Sequence, residues 1–411
     1  MRRDFKMWIS AQMFVILVLF IIHDVGGGRA TLGEELEAGK HLKLENRPII
    51  KTIKSEDKDV VDCVDFYKQP AFDHPLLKNH SVQMKPSSYP VGFTSEKKVQ
   101  SSNLQSWNRK DTCPPGTIPI CRMTRDAMFN VSSIKNLRKK HPFSKKLDVS
   151  MWDGHESVYV SENYQHAVVY VKGGEYFGSK ANLSVWNPHT QPNEFSLSQI
   201  WVLSVPYEAL NNVEAGWMAY PDVNGDNHTR IFTYWTGDGY KHTGCYNHLC
   251  PGFIQTSRNI ALGAKIVPIS SYGGNQYHII ILIYKDPKTA NWWMIYKDEP
   301  VGYWSSSLFT SLARSANSIE WGGEVTDLQT DGKHTTTQMG SGHWPSEGWK
   351  KAAFISNLQI VDGSNDLRRP EGLKTIAEKE ECYSVQIGGQ GGKNWGDFMY
   401  YGGPGRNPNC P

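Results

Sequence analysis

Short stretches of alternating apolar and polar residues recur along this chain. A period of two is typical of half-buried strands. The pattern predicts strands at 166–171, 182–186, 195–205, 213–219, 230–235, 277–284, 319–325 and 353–361. One helical pattern interrupts them at 306–316, where Leu308, Phe309 and Leu312 share a face. Many short strands predict an all-β fold, with an antiparallel β-sandwich as its main domain.

The alternation at 213–219 points to the first candidate functional residue. Glu214 and Gly216 alternate with apolar neighbours, so Glu214 points away from the apolar face. The stretch ends at Pro221, and Asn224-Gly225 predicts a type I′ turn. Glu214 therefore lies on a predicted hairpin.

A second stretch repeats this pattern in reverse. The sequence E-A-G-W begins at Glu214, and W-G-G-E ends at Glu324. In each strand the glutamate shares a face with the glycine two positions away, Gly216 or Gly322, while the tryptophan lies on the other face. If the two strands lie side by side, the carboxyl groups meet over a cleft lined by glycine.

Two carboxyl groups in such a setting can do chemistry. An isolated glutamate on a strand is usually a solvated surface residue, but two mirrored ones favour a functional pair. Close carboxylates repel, so one keeps its proton to higher pH and the site holds both an acid and a base. We therefore take Glu214 and Glu324 as the candidate catalytic pair. Tyr234 and Gln338 are assigned to the substrate cleft, as are the two glycines.

The N-terminus has the composition of a secretory signal peptide over residues 1–30. A charged start is followed by an apolar run at 7–22 and small residues at 26–30. The run is short for a membrane-spanning helix. We expect secretion to the extracellular space or apoplast, with the vacuole as the alternative, and no membrane anchor after signal removal.

Residues 31–148 differ in composition from the rest of the chain. A capping box at 31–34 predicts a short helix, and many prolines and serines follow. The basic run at 133–146 could bind nucleic acid, but an exposed, protease-sensitive linker is the favoured interpretation. We predict a mostly irregular, partly helical prosegment at 31–148 and the β domain at 149–411.

The net charge and the sequence motifs bear on which partners and cofactors are expected. The net charge is only +3, so no overall field favours nucleic acid as a partner. The segment that begins at Asp222 lacks the glycine and glutamate of a calcium loop, and neither HExxH nor a P-loop occurs. We expect no metal and no cofactor.

The predicted secretion favours disulfides among the seven cysteines, because secreted proteins fold in an oxidising compartment. We predict the pairs Cys245–Cys250 and Cys382–Cys410. Among Cys63, Cys113 and Cys121, the pair Cys63–Cys113 is the first choice and Cys113–Cys121 the second, with one thiol left over.

Four glycosylation sequons agree with passage through the secretory route. They begin at Asn79, Asn130, Asn182 and Asn227. Asn227 follows the predicted hairpin turn, so we expect it to be exposed.

Several longer motifs resemble one known family over nearly the whole chain. In the first part they are V-D-C-V at 61–64, Q-P-A-F-D-H-P-L-L-K at 69–78 and C-P-P-G-T-I-P at 113–119. In the second part they are F-S-L-S-Q-I-W at 195–201, E-A-G-W at 214–217, T-G-C-Y at 243–246, W-G-G-E-V at 321–325, T-Q-M-G-S-G-H at 337–343 and Y-G-G-P at 401–404. With these motifs the chain resembles the neprosin family of plant secreted proteins.

The resemblance implies a glutamic endopeptidase made as a zymogen on an antiparallel β-sandwich. The founding member of the family cuts after proline, and the two catalytic glutamates of the family fall on Glu214 and Glu324. A peptide or protein is then the substrate, and the chain's own propeptide acts as an intramolecular inhibitor.

Two other functions remain open on the sequence. Paired carboxylates on a β-sandwich also occur in glycoside hydrolases, and Trp292 or Trp293 could stack on a sugar ring. The other alternative is a non-catalytic cell-wall binding protein that uses the same cleft. A removable prosegment favours the peptidase, since a sugar enzyme has less need of masking.

Overall fold

The structure is a computed structural model that describes residues 47–94, 105–122, 145–147, 158–160, 163–205, 210–329 and 331–411. The predicted signal peptide, the helix near residue 31, most of the basic linker, the boundary at Asp148 and the sequon at Asn130 lie outside these residues. Within the described part, no helix has the length and apolar character needed to cross a membrane.

Strands make up most of the regular structure. In chain order they are β1 (Ile49–Lys54), β2 (Val60–Asp65), β3 (Thr117–Cys121), β4 (Lys145–Leu147), β5 (Val158–Val160), β6 (Tyr164–Tyr176), β7 (Gly178–Ser184), β8 (Ser196–Ser204), β9 (Asn211–Ala219), β10 (Arg230–Thr236), β11 (Cys245–Tyr246), β12 (Phe253–Gln255), β13 (His278–Lys285), β14 (Trp292–Tyr296), β15 (Glu299–Trp304), β16 (Ala316–Thr326), β17 (Ala353–Val361), β18 (Leu367–Arg368), β19 (Lys374–Ala377), β20 (Ser384–Gln390) and β21 (Asp397–Gly402). The described helices are short: α1 (Pro221–Asn224), α2 (Gly392–Trp395) and 3-10 turns at Phe66–Lys68, Pro70–Asp73, Pro75–Leu77, Ser306–Leu308 and Pro345–Glu347.

Two antiparallel sheets form the predicted sandwich. The seven-stranded sheet has the order β11-β10-β9-β8-β16-β6-β19, and the nine-stranded sheet has the order β12-β15-β14-β13-β7-β17-β21-β20, with β18 beside β17. A three-stranded sheet, β1-β2-β3, comes from the prosegment, and β4 pairs with β5. The predicted strand at 353–361 coincides with β17, and the other predicted strands overlap observed ones.

Two buried indoles connect the sheets across the core. Trp217 Nε1 on β9 donates to the backbone oxygen of Ser184 at 2.7 Å, and Trp321 Nε1 on β16 donates to Ser179 Oγ at 2.9 Å. Both acceptors belong to β7 of the facing sheet. An indole N–H left unpaired in an apolar core costs about 1–3 kcal/mol, so these bonds fix how the sheets sit on each other. The indoles lie behind the face that carries the glutamates, as predicted.

The predicted helix at 306–316 is wrong. Only Ser306–Leu308 forms a 3-10 turn, and Ala316 already begins β16. The side chain of Asn211 explains the difference, because its Oδ1 accepts from the backbone N–H groups of Thr310 and Leu312 at 2.8 and 3.2 Å. These tertiary bonds replace the bonds that a helix would make.

The hairpin at Glu214 is confirmed, but its turn is not of type I′. The connection is the helical turn α1, closed by Gly225 in the left-handed region at φ 73°. Of the sequons, Asn79 and Asn227 are exposed. Asn182 is 8% exposed in β7, between β13 and β17, so a glycan at this position does not fit the folded sheet.

The three disulfides pair as predicted. They join Cys63 to Cys113, Cys245 to Cys250 and Cys382 to Cys410, with Cys121 left as the free thiol. Cys63–Cys113 lies within the prosegment. Cys382–Cys410 holds the C-terminal residues on the sandwich.

We expect disulfide removal to destabilise the protein according to loop length. Replacing Cys382 and Cys410, which are 28 residues apart, by serine should lower the free energy of unfolding by about 3–4 kcal/mol. The same change at Cys245 and Cys250, which are 5 residues apart, should lower it by about 2 kcal/mol. Denaturant unfolding of the full chain measures both, and equal losses would contradict the loop-length argument.

Candidate active site

The two predicted glutamates lie on the outer face of the seven-stranded sheet, but their strands are not adjacent. Strand β8 runs between β9 and β16. Gln199 of β8 is paired with Gly216 on one side and Gly322 on the other. Glu214 and Glu324 therefore lie on opposite sides of Gln199. Glu214 pairs with Trp201 and Glu324 with Leu197, so each lies two residues along β8 from Gln199, in opposite directions.

The two glycines are required by the packing of the strands. A Cβ atom on Gly216 would lie 1.9 Å from the backbone oxygen of Ser198, and one on Gly322 would lie 2.2 Å from that of Ala167. No larger residue fits without moving the backbone of the neighbouring strand. Across β9, β8 and β16, Gln199 thus supplies the single side chain of its row.

Glu214 is fully buried among polar partners. Its neighbours across the strands are Trp201 and Tyr234. Its Oε1 accepts from Asn212 Nδ2 and, at 3.4 Å, from the hydroxyl of Tyr240. Both of these contacts reach the same carboxyl oxygen.

Glu324 is 1% exposed and contacts an amide and an imidazole. Its Oε2 accepts from Gln199 Nε2 at 3.3 Å and lies 3.9 Å from His166 Nε2. Glu378 holds His166 from the other side, since its Oε1 lies 2.9 Å from Nδ1 and its Oε2 accepts from the backbone N–H at 2.5 Å. The ring of Trp201 lies 6.2 Å from that of His166.

Two buried tyrosines show that the glutamates share one site. The pKa of Tyr240 is raised well above its usual range by burial, then by the charge of Glu214 and more weakly by that of Glu324. The pKa of Tyr246 is raised by burial, then by Glu324, with a smaller effect from Glu214. Both phenols stay neutral and keep a proton to donate. The charges of both carboxylates thus act on each phenol.

The predicted cleft residues Tyr234 and Gln338 have different surroundings in the structure. Tyr234 lies in the site, with its ring 4.7 Å from that of Tyr246 and 6.0 Å from that of Tyr240. Gln338 accepts from the backbone N–H of His189 at 3.1 Å, and its described contacts do not include either glutamate.

Several site residues were not singled out from the sequence. They are His166, Gln199, Trp201, Asn212, Tyr240, Tyr246 and Glu378. Gln199 and Trp201 alternate on the outward face of the predicted strand 195–205, and this pattern could have indicated them. His166 and Glu378 are 212 residues apart, so the local pattern carries no signal for this pair.

One group among the described residues has metal-ligand spacing, and it lies elsewhere. His334, Cys382 and Cys410 offer atoms within 4.8 Å of one another. The two sulfur atoms are joined to each other, so they do not supply thiolate ligands.

Solved structures with low similarity include a scytalido-glutamic peptidase with a peptide-based transition state analog. It is 9% identical, with 59% of this chain and 98% of that chain covered and a TM-score of 0.32. SCP-B, a member of the eqolisin family of peptidases in complex with the tripeptide Ala-Ile-His, is 11% identical, with 58% and 96% covered and a TM-score of 0.30. At such scores these likenesses carry no weight for the assignment.

Family models match most of the chain. Residues 52–170 match the model described as the neprosin activation peptide, and residues 192–404 match the model described as neprosin. The second match alone spans just over half of the 411 residues. The order of the two matches agrees with a prosegment that precedes a β domain, and the chain belongs to the neprosin family.

Proposed function

We propose that this chain is the secreted zymogen of a glutamic endopeptidase. The observation that carries the proposal is the pair of buried carboxyl groups, Glu214 and Glu324, on either side of Gln199. When one carboxyl group of a site is protonated and the other is ionised, the first serves as acid and the second as base, and such a pair can activate water for attack on a peptide carbonyl.

The contacts support a division of roles. His166 Nε2 lies 3.9 Å from Oε2 of Glu324, so this carboxyl group has an imidazole beside it. We assign Glu324 the role of the base that takes a proton from water. Glu214 is assigned the role of the acid that donates a proton to the scissile carbonyl or to the leaving nitrogen. The amide of Gln199 lies between them, where an oxyanion would form.

We also propose that the enzyme cleaves after proline. The site is lined by the rings of Trp201, Tyr234, Tyr240 and Tyr246. Flat, apolar walls of this kind suit a pyrrolidine ring. The resemblance to the founding member of the family supports the same preference.

Burial of the dyad supports latency of the full chain. Glu214 is 0% and Glu324 1% exposed, so a substrate reaches neither carboxyl group without a rearrangement. We propose that removal of the activation peptide provides it. The maturation cut is expected in the basic linker, and the mature domain is proposed to begin near Asp148.

An ion-pair cluster connects the activation peptide to the catalytic strands. Asp59 Oδ1 lies 2.8 Å from Arg230 Nη2, and the backbone oxygen of Asp57 accepts from Lys265 Nζ at 2.7 Å. Asp226 lies 2.9 Å from Arg230 and 3.0 Å from Lys265. Burial would raise the pKa of Asp226, but the charge and hydrogen bonds of Arg230 bring it below its usual 3.8. Asp226 therefore stays charged at pH 5, and its contribution to stability is lost only as pH falls through this lowered pKa.

The glycoside hydrolase alternative loses one of the two tryptophans that could stack on a sugar ring. Trp292 and Trp293 are both 0% exposed in the full chain, but Trp293 lies beneath Gln83 of the activation peptide, so its ring becomes available when that peptide leaves. Trp292 faces the core and donates to the backbone oxygen of Leu312 at 2.9 Å. Secretion to the apoplast, or alternatively to the vacuole, stays a proposal that rests on the N-terminal composition and on the exposed sequons.

We expect the two glutamates to act as a unit. Glu214→Gln and Glu324→Gln should each lower kcat on a proline-containing peptide by about 10²- to 10⁴-fold at acidic pH, and the double variant should lose little more. Activity of the parent should fade toward neutral pH as the shared proton is lost. Mass spectrometry of the cleaved peptide measures the rates. Glu175→Gln, at an exposed carboxylate paired with Arg314, is the control.

Retained peptidase activity in a folded glutamine variant would place the chemistry elsewhere. Glycosidase activity that is lost in both variants would favour the glycoside hydrolase instead.

We expect His166 to influence the pH dependence of the reaction at the dyad. His166→Gln removes the imidazole beside Glu324, so the acid limb of the pH profile of kcat/KM should move. Glu378→Gln keeps the imidazole and removes the carboxylate that contacts its Nδ1, so it should change the profile less. A parallel loss of rate at every pH, with no shift of the acid limb, would indicate a structural role only.

We expect mild acid to loosen the activation peptide first at its histidines. The hydroxyl of Tyr303 accepts from the backbone N–H of Gln83 at 3.0 Å and is hydrogen-bonded to Nε2 of His80 at 2.9 Å. Burial lowers the pKa of His80 from 6.5, so its contribution to stability is present above pH 6.5 and is lost as pH falls through the lowered value. His80→Gln keeps an acceptor that does not titrate. It should therefore reduce the increase in hydrogen exchange of residues 75–90 between pH 7 and pH 5.

The matched control is His242→Gln, at an exposed histidine outside the activation peptide. An unchanged pH dependence in His80→Gln protein would remove this histidine from the acid response.

A further inference from the structure

The side chain of Gln83 is held by four residues of the neprosin domain. Its Oε1 accepts from Thr289 Oγ1 at 2.7 Å, Asn291 Nδ2 at 3.0 Å and Trp293 Nε1 at 3.1 Å, and its Nε2 donates to Asp286 Oδ2 at 2.9 Å. Asp286, Asn291 and Trp293 are 0%, 4% and 0% exposed. Three donors and one acceptor therefore surround one amide, which is a complementary pocket for glutamine.

The adjoining backbone is also hydrogen-bonded to the neprosin domain. The N–H of Gln83 donates to the Tyr303 hydroxyl at 3.0 Å. Four residues on, Ser87 donates to Asp286 through its N–H at 2.5 Å and its hydroxyl at 2.7 Å. Met84, between them, is 54% exposed. The groove thus contacts a glutamine and a serine four positions later, and leaves the intervening Met84 in solvent.

The floor of the groove is a row of aromatic rings. Tyr284, Trp293 and Tyr303 are paired across β13, β14 and β15, and each is 0% exposed. They lie on the outer face of the nine-stranded sheet, because the alternate residue Trp292 faces the core. The residues above them, 80–91, belong to the match with the activation peptide. When that peptide leaves, the rings and several buried polar groups lose their cover.

An exposed aromatic patch with polar groups among its rings is typical of a binding surface. We propose that in the mature protein this groove is a second peptide-binding site, separate from the dyad, which binds an extended peptide with a glutamine followed four residues later by a serine. The proposal rests on the proposed function only in requiring that the activation peptide is removed. The dyad lies on the outer face of the other sheet, so a peptide bound here is tethered and not cut.

A labelled peptide that copies residues 79–92 tests the proposal. Full-length Glu214→Gln protein is nicked with trypsin in its basic run, 133–146, so that neither processing nor binding depends on its own activity. Fluorescence anisotropy at pH 6 should show saturable binding to the nicked protein and none to the intact chain, whose groove is occupied. Replacing Gln83 in the peptide by alanine should weaken binding about tenfold or more. Glutamate at this position should weaken it further, because it faces the carboxylate of Asp286.

Protein variants provide the matching side of the test. Trp293→Phe keeps an aromatic ring but removes the N–H donor. It should therefore weaken binding of the parent peptide and have little effect on binding of the alanine peptide. Equal binding of the glutamine, alanine and glutamate peptides would overturn the proposal. So would a nicked protein that retains its own segment and takes up no labelled peptide, because the groove would then serve the activation peptide alone.

Discussion

The cost of burying two carboxyl groups in one site is the constraint on which this structure depends. A carboxylate removed from water is stable only with donors placed around it. The seven-stranded sheet supplies them through its register, because β8 brings Gln199 between Glu214 and Glu324. Asn212 and Tyr240 complete the set around Glu214.

That register depends in turn on the glycines and on the core behind them. Gly216 and Gly322 allow the backbones of their neighbours to approach closely, which no other residue permits. Behind the sheet, Trp217 and Trp321 each donate to the facing sheet and so fix the layer on which the site rests. A substitution at either glycine would therefore act on the candidate site through the backbone, without touching a carboxyl group.

The activation peptide is attached by chemically different contacts. The cluster around Asp59 and Arg230 is an ion-pair network at the start of β10, the strand that also carries Tyr234 beside Glu214. Along the nine-stranded sheet, the contacts of Gln83 are mostly neutral hydrogen bonds over aromatic rings. Each type includes a carboxylate whose pKa is lowered, Asp226 in the first and Asp286 in the second, so both lose stability in strong acid. The second type also includes His80 beside Tyr303, which adds a response to mild acid. Release of the peptide is thus expected to proceed in stages along its length.

Much of this arrangement could be predicted from the sequence. Alternation placed Glu214 on the outer face of a hairpin, and the mirrored motifs paired it with Glu324, because both signals are local. Strand positions and the three disulfides followed from patterns of the same kind. The helix predicted at 306–316 failed because Asn211, far away in sequence, binds its backbone.

The sequence by itself determined which residues are acidic, which face each strand buries and which strands have glycine beside a glutamate. Only the tertiary structure decided that β8 separates the two glutamates and that His166 meets Glu378 across 212 residues. The physical reason is that strand order and long-range hydrogen bonds arise from how the sheets assemble. A period of two along one strand specifies its faces, but it does not specify its neighbours.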